Sequence, residues 1–408
     1  MICFFRNLKG LKQGERMTMV CNEDKCTGCM ACLSVCPKDA ITIKDSVMQY
    51  NAVIDLDKCV GCDACHAVCQ QNNAPVLSEP ITWYQGWARD ETIRSKGSSG
   101  GFAGAISKKF IENGGEVYSC VFESGDFIFR CASTVDELHR FAGSKYVKSN
   151  PESIYREIKS KLCDGNKILF IGLPCQVGAL KNYVRNSNTD LLYTIDLICH
   201  GTPSPKLLEI FLNQYEYSLK SVKNIAFRNK ERFQVCEGYK GIITNGVGDR
   251  YTMAFLHSLS YTENCYECKY ARKRRVSDIT LGDSWGSDIG GEEHAKGISL
   301  ALCMTKKGDE LVKNSNLYLE TVDLEKAIAS NHQLQHASIK PKAYDSFCEG
   351  IKEGKNFNRL VTKSLPKVCF KQDIKRLLIK LHLIHVGGGK LSYGIAVLPS
   401  TNVMDNGR

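Results

Sequence analysis

Eight cysteines near the start of the chain repeat one spacing. Cys26, Cys29, Cys32 and Cys36, followed by Pro37, read C-x2-C-x2-C-x3-C-P; Cys59, Cys62, Cys65 and Cys69 read the same without the proline. A cubane iron-sulfur cluster needs four thiolates converging on its corners, and a tight loop with two-residue gaps supplies three of them without long-range folding. The fourth comes from the other half, because in the two-cluster bacterial arrangement the last cysteine of each run ligates the cluster of the other. That rule groups Cys26, Cys29 and Cys32 with Cys69, and Cys59, Cys62 and Cys65 with Cys36, for two [4Fe-4S] clusters.

Other cysteine chemistries explain less of the pattern. Zinc spacings set two C-x2-C pairs apart by an intervening finger and leave the third and fourth cysteine of each run without a role. Cys21-x4-Cys26-x2-Cys29 copies the start of a plant-type site. Taking it would strand Cys32, Cys36 and the whole second run, so Cys21 reads as a bystander.

The 21 cysteines in 408 residues also bear on the compartment. A disulfide-stapled chain is short and secreted; this one is long, and its apolar start at residues 1–5 is too short for the core of a signal peptide. No window approaches the roughly 20 apolar residues of a membrane span. We therefore expect a soluble, cytoplasmic protein with reduced thiols and no transmembrane segment. A single core stops growing below this length, which predicts one small and one large domain. The formal charge of +10 suggests nucleic acid only until clusters are counted. Four thiolates on a 2+ cubane leave about −2, so three clusters would bring the total to roughly +4. That balance predicts no nucleic-acid partner, and suits an anionic cofactor or an acidic redox partner protein.

The elements that must position these groups follow along the chain. Residues 1–19 lack periodicity and read as a disordered extension. Within 20–76, residues 40–43 and 52–55 alternate at strand period, as expected of hairpins supporting a two-cluster fold. Pro37 ends the first cluster turn, and Gln70 stands where a second proline would. From residue 80 the composition changes. A loop of Gly97, Ser98, Ser99, Gly100 and Gly101 precedes a helical run at 103–113, stopped by Gly114 and Gly115, and 116–122 reads as a buried strand. Residues 167–172 and 191–198 are further apolar strands, each feeding a turn with a cysteine, Cys175 and Cys199, and then a helix. Strands alternating with helices predict an α/β domain with a partly parallel sheet, behind a small α+β unit. In such sheets ligands gather at the carboxyl ends of the strands.

Cys265-x2-Cys268 adds two cysteines ahead of the basic residues Arg272, Lys273, Arg274 and Arg275. With Cys175 and Cys199 they match the count for a third cubane. No spacing rule joins the four, and a zinc half-site or redox dithiol at Cys265 and Cys268 stays open. The serine-glycine loop also has two readings. Free N–H groups at a helix start suit a phosphate, and a plain capping loop has the same composition.

Several segments together resemble the coenzyme F420 hydrogenase/dehydrogenase beta-subunit family, here behind a two-cluster ferredoxin domain. They are Gly97-Ser98-Ser99-Gly100-Gly101, Gly172-Leu173-Pro174-Cys175-Gln176, Cys199-His200-Gly201-Thr202-Pro203-Ser204, Cys265-Tyr266-Glu267-Cys268-Lys269-Tyr270-Ala271, and the stretch 277–286. The resemblance spans about residues 20–345 and departs at Ser284, where an aromatic is expected. It implies FAD in a domain over 80–345, a third [4Fe-4S] cluster on Cys175, Cys199, Cys265 and Cys268, and coenzyme F420 or another deazaflavin-like hydride carrier as substrate. It further implies that Ser98, Ser99, Gly100 and Gly101 cradle the flavin or its phosphates. Lys145, within Gly143-Ser144-Lys145-Tyr146, would face a cofactor phosphate or else be a solvated lysine. Residues 272–275 would hold an anionic substrate tail or form a solvated face.

Hydride carriers pass two electrons together and cubanes one at a time, so a flavin belongs at the junction. These expectations describe an iron-sulfur flavoprotein oxidoreductase whose ferredoxin unit hands electrons to a partner protein. Two alternatives stand beside it, an electron-transfer adaptor without flavin chemistry and a reductase of another substrate. No catalytic acid or base is legible. Cys120, Cys131, Cys163, Cys236, Cys303, Cys348 and Cys369 are isolated and read as small core residues, and His66 and His200, beside expected ligands, read as structural. Residues 346–408 read as a basic helical tail. Its amphipathic stretch 371–384 is expected to pack on its own domain, with a partner or membrane surface as the other choice. Residues 387–392 lack the Walker spacing and read as a flexible loop.

Overall fold

In the computed structural model the described residues are 18–383 apart from 231, 239 and 243–246. Most of the expected extension 1–19 and the expected loop 387–392 therefore lie outside them. Alternating burial pairs β1 (Ile41–Asp45) with β2 (Tyr50–Ile54) as an antiparallel hairpin, Ile41 opposite Ile54. Thr18 and Met19 already belong to this unit: Ile54 N–H donates to the Thr18 carbonyl at 2.8 Å, and Met19 bridges Val53. Two short helices, Ala31–Val35 and Ala64–Val68, occupy the same place in the two cysteine runs.

The remaining strands are β3 (Thr82–Ala88), β4 (Glu116–Glu123), β5 (Asp126–Ala132), β6 (Ile168–Gly172), β7 (Leu192–Leu197), β8 (Ile225–Asn229), β9 (Arg232–Glu237), β10 (Lys240–Gly241), β11 (Ile279–Asp283), β12 (Ser299–Cys303) and β13 (Leu317–Glu320). Eight of them form one sheet in the order β13-β3-β12-β11-β7-β6-β4-β5, and β8 to β10 form a separate three-stranded sheet. The centre β11-β7-β6-β4 is parallel and the outer pairs are antiparallel. This is the mixed α/β architecture that alternating strands and helices predict. All of β6 is buried because both faces are covered. Ile168 and Phe170 pack with Ile158, Val177 and Leu180 on one face, and Leu169 and Ile171 with Phe102, Ile106 and Leu311 on the other.

The helix expected at 103–113 is Phe102–Glu112. The one expected from residue 177 is Pro174–Val184, because Pro174 is already set for a first helical turn. Cys175 therefore sits on the helix rather than in the turn before it.

The small unit and the sheet share one apolar cluster, in which Cys29, Ile54 and Val68 pack together with Phe129, Tyr155 and Val177. Polar contacts cross the same junction: Tyr155 hydroxyl donates to Cys29 carbonyl at 2.6 Å and Ser34 hydroxyl to Glu152 carbonyl at 2.9 Å. Gln70 explains the missing second proline. Fully buried, it donates to Thr27 Oγ1 at 3.0 Å and accepts from the Tyr270 hydroxyl at 2.9 Å, two bonds that a proline could not make. Packing also runs across residue 345: helices Tyr344–Lys352 and Phe357–Ser364 bury Phe347, Ile351, Phe357 and Val361 against Phe211 and Tyr251. The apolar face of the next helix, Pro366–Lys380, does not pack on the domain as expected; only Cys369 and Gln372 of that helix are buried. Among the described residues no helix is long and apolar enough to cross a membrane.

The basic run 272–275, read as holding a substrate tail or forming a solvated face, leaves Arg272 and Arg274 exposed and secures the linker between the two units. Arg275 N–H donates to Ser78 carbonyl at 2.9 Å, Arg274 Nη2 to Leu77 carbonyl at 2.9 Å, and Lys273 lies 3.4 Å from Glu79. The Arg275 guanidinium, 1% exposed, pairs at 3.0 Å with Asp196, which has no exposure, and donates to the Tyr270 and Leu197 carbonyls at 2.7 and 2.8 Å. Removing one partner of a buried pair strands the other charge, at about 3–5 kcal/mol. Arg275→Met is therefore expected to lower the urea midpoint by that equivalent with an unchanged m-value, measured by equilibrium unfolding.

Candidate cluster and cofactor site

The two cysteine runs fold alike. Gly28 and Gly61 adopt φ of +67° and +69°, which an L side chain rarely tolerates, and aim their N–H groups at Cys26 Sγ (3.4 Å) and Cys59 Sγ (3.5 Å). Met30 and Asp63 follow at +62° and +61°, and the chain enters the short helices that carry Cys32 and Cys65.

Cys26, Cys29, Cys32 and Cys69 line one small space. Burial pushes the Cys29 thiol up to about 12, with Cys69 and then Cys26 adding to it, and Cys32 is raised by burial and by the same neighbours. Among the described residues no three His, Cys, Asp or Glu side chains are placed to hold a single metal ion. The corners of a cubane each belong to a different iron, so its ligands stand further apart, and this donor set fits one. Cys21, read as a bystander, lines the same space and hydrogen-bonds with Cys26 and Cys69. Its bond brings the Cys69 thiol down to about 6. The spacing that drew attention to Cys21 belongs to a different cluster type, so the sequence offered no signal for this placement.

The other four thiols lie nearer the surface. Cys36, Cys59 and Cys65 are half-buried, and Cys62 is exposed. Burial raises Cys65 to about 11, and Cys65 in turn contributes to the raised Cys32.

The large unit brings together Cys175, Cys199, Cys265 and Cys268. Cys175 lies in the first turn of its helix, Cys199 just beyond β7, and Cys265 in the 3-10 turn Glu263–Glu267, with Cys268 directly after it. Burial pushes Cys199 up to about 12, with Cys265 and Cys268 adding. Cys175 is raised by burial first, and then by Cys268, Cys199 and Cys29. The Asn264 amide donates to Cys265 Sγ at 3.7 Å and the Thr262 hydroxyl lies 3.6 Å from it. Through Cys29 and Cys175 this group adjoins the first, and through Cys32 and Cys65 the first adjoins the surface group.

Lys148 lies at the junction. It is 5% exposed, donates to Thr27 carbonyl at 3.0 Å and stands 5.0 Å from the Tyr50 ring centre. Its charge favours the thiolate forms of Cys26 and Cys175. Among the described residues it has no carboxylate partner, so thiolates of the two neighbouring cysteine groups are the charges that would balance it. Nothing in its sequence context marks Lys148 out.

A cavity of about 600 Å³, within the range of cofactor pockets, opens at the carboxyl ends of β6, β7 and β11, lined by Gly172, Leu197 and Asp283 among others. Cys199 and His200 are part of its wall. Burial, with His332 next, pulls His200 down to about 4, and Gln333 Nε2 lies 2.6 Å from its Nδ1. Ser98, Ser99 and Gly101 line the cavity, and the helix starting at Phe102 has no side-chain cap, so its first N–H groups are open to an acceptor. Lys145 also lines it; burial lowers this lysine, which donates to the Phe141 and Ala142 carbonyls at 2.9 and 3.1 Å and is not a solvated surface group.

Gly100 does not line the cavity. Its N–H is engaged by Ser299 Oγ at 2.9 Å, and a Cβ there would meet the Gly86 carbonyl at 2.5 Å, so this glycine lets the loop lie against the sheet. Cys120, expected to be incidental, is in the cavity wall near Lys145.

Aromatic residues Tyr146, Phe233, Phe255 and Trp285 also line the cavity, a role not read from sequence. Tyr146 stacks on Phe255 at 4.4 Å, and Arg228, held bidentate by Asp283 at 2.6 and 2.9 Å, lies 4.9 Å from the Phe233 ring and 5.8 Å from Trp285. Ser284 is buried beside Trp285 and donates to Gln85 Oε1 at 2.9 Å. Lys230 organises the serine-glycine loop: its ammonium donates to the carbonyls of Arg94, Gly97 and Ser99 at 2.6, 2.8 and 2.9 Å. Hydrogen bonds from a charged donor contribute about 1.5–3 kcal/mol, discounted here because Lys230 is half-buried. Lys230→Met is expected to speed amide hydrogen exchange across residues 94–101 by about tenfold while leaving β6 and β7 protected, read by mass spectrometry.

Comparison with known proteins gives three family matches. Residues 12–73 match the 4Fe-4S dicluster domain, 83–154 the coenzyme F420 hydrogenase/dehydrogenase beta subunit N-terminus, and 165–327 the C-terminus of the same subunit. A curated ferredoxin from Methanothermococcus thermolithotrophicus is 54% identical over 33 residues, 8% of this chain. The chain spans about half the length of that relative, 53%. Among solved structures, a chain of the F420-reducing [NiFe] hydrogenase complex from Methanosarcina barkeri is 20% identical with a TM-score of 0.45, covering 70% of this chain and 92% of that one.

Proposed function

We propose that this chain, which belongs to the coenzyme F420 hydrogenase/dehydrogenase beta-subunit family and carries a 4Fe-4S dicluster domain ahead of it, is an iron-sulfur flavoprotein oxidoreductase linking a hydride carrier to a one-electron partner. One observation carries the reading. Cys199 lines the cavity and also belongs to the Cys175, Cys199, Cys265 and Cys268 group, which adjoins the first cysteine run through Cys29. Bound in these places, FAD would exchange electrons in pairs with a deazaflavin such as coenzyme F420 and singly with three [4Fe-4S] clusters.

The chain's own residues define how such groups are held. The open N–H groups after Gly101, with Lys145 nearby, suit a pyrophosphate. Tyr146, Phe233, Phe255 and Trp285 offer ring surfaces to a flat heterocycle. Arg228 keeps its position through Asp283 and presents a fixed cation to an anionic substrate. Lys148 would hold up the potentials of the two clusters beside it, since a nearby cation favours the extra electron. Cys62, the exposed end of the thiol series, marks where a redox partner protein would meet the chain.

Anaerobic purification followed by iron, sulfide and flavin assay is expected to give about twelve iron atoms and one FAD per chain, four irons for each of three cubanes. About eight iron atoms and no flavin would overturn the reading in favour of a relay without flavin chemistry. Cys268→Ala is expected to remove about four irons and leave the two clusters of the dicluster domain; unchanged iron would dispose of the third site. Lys148→Met is expected to lower the midpoint potentials of its two neighbours by about 60 mV, a tenfold change in a one-electron equilibrium, in an EPR-monitored redox titration.

A further inference from the structure

The helix Pro366–Lys380 turns an apolar stripe outward. Phe370, Ile374, Leu377 and Leu381 follow at steps of four, three and four, which places them on one face. They are 67%, 43%, 55% and 56% exposed, and Leu383, just beyond, is 67% exposed. Five of the eleven large apolar residues exposed among the described residues are thus gathered in one place. The opposite side of the helix attaches to the domain through buried Cys369 and Gln372, and Asp373, its one acidic residue, pairs with Arg250 at 2.7 Å.

The charges beside the stripe say what covers it. At 100° per residue, Lys367 and Lys371 flank it on one side and Lys380 and Arg376 on the other, with Lys375 further round. Five cations therefore stand against one acid that is already paired. We propose that this face docks on an anionic lipid bilayer, with the helix lying in the plane of the interface. A convex ridge with cations on both flanks matches a flat anionic surface: the apolar side chains enter the headgroup boundary, and the lysine stems reach lipid phosphates on either side. A protein partner would have to offer a groove with acidic rims. The helix is far too short to span a bilayer. This inference is independent of the redox reading, since none of these residues lies at the cysteines or the cavity.

Flotation of the full chain with vesicles of phosphatidylcholine, alone or mixed with phosphatidylglycerol, tests it. Binding is expected with phosphatidylglycerol at low salt and expected to fall by about tenfold or more without the anionic lipid or at high salt. Phe370→Glu with Leu377→Glu is expected to abolish flotation while iron content and elution volume stay those of the parent. Val76→Glu, at an 87% exposed apolar position elsewhere, is expected to float as the parent does. No flotation of the parent, equal binding to neutral vesicles, or unchanged binding of the double variant would overturn the proposal. So would a parent dimer that the double variant splits without any vesicle binding, which would assign the face to a second copy of this chain.

Discussion

Lys148 is buried with its ammonium 3.0 Å from the Thr27 carbonyl, near enough to the thiols of Cys26 and Cys175 that its charge favours both thiolates. A solitary interior cation is unfavourable unless negative charge surrounds it, and a group of buried thiolates is unfavourable unless positive charge does. Each condition satisfies the other only if the small unit is docked, because Lys148 belongs to the large unit and Thr27 to the small one. The docking contacts follow from this constraint. Gln70, standing where a proline would, bonds Thr27 within the small unit and Tyr270 across the junction, and the basic run 272–275 fastens the linker at 77–79.

The parallel centre of the sheet decides where the cavity lies. Four neighbouring strands end at one edge, and the loops that follow them must diverge around the helices on either face, which leaves a space there. Tying those loops to one another makes the space a defined site. Ser144 bonds Ser98, Lys230 gathers three carbonyls of the serine-glycine loop, and Arg228 locks on Asp283. The third group of cysteines forms at the same edge, so the cavity and that thiol group adjoin without a separate device to position them.

The two cysteine runs were legible because their geometry is local. A two-residue gap, a glycine in the left-handed region and a short helix recur in both runs, and each feature depends on residues within a few positions. The strands expected at 116–122, 167–172 and 191–198 and the helix expected at 103–113 were legible for the same reason, with shifts of only a few residues at their ends, whereas the other strands of the large unit were not read. Composition marked the serine-glycine loop, yet could not separate Gly100, pressed against Gly86, from its neighbours that face the cavity.

The chain's own order of residues thus determined two repeated thiol loops, the alternation that builds a mixed sheet, and an amphipathic helix near the end. Tertiary structure alone decided that Cys175, Cys199, Cys265 and Cys268 meet, that Cys21 stands beside Cys26, and that Lys148 is buried near two thiol groups. It also decided that the basic run faces the linker and that the helix turns its apolar stripe outward. The physical reason is range: spacing and periodicity report interactions within one turn or strand, whereas burial and electrostatic balance arise only when segments about 90 residues apart close on one another.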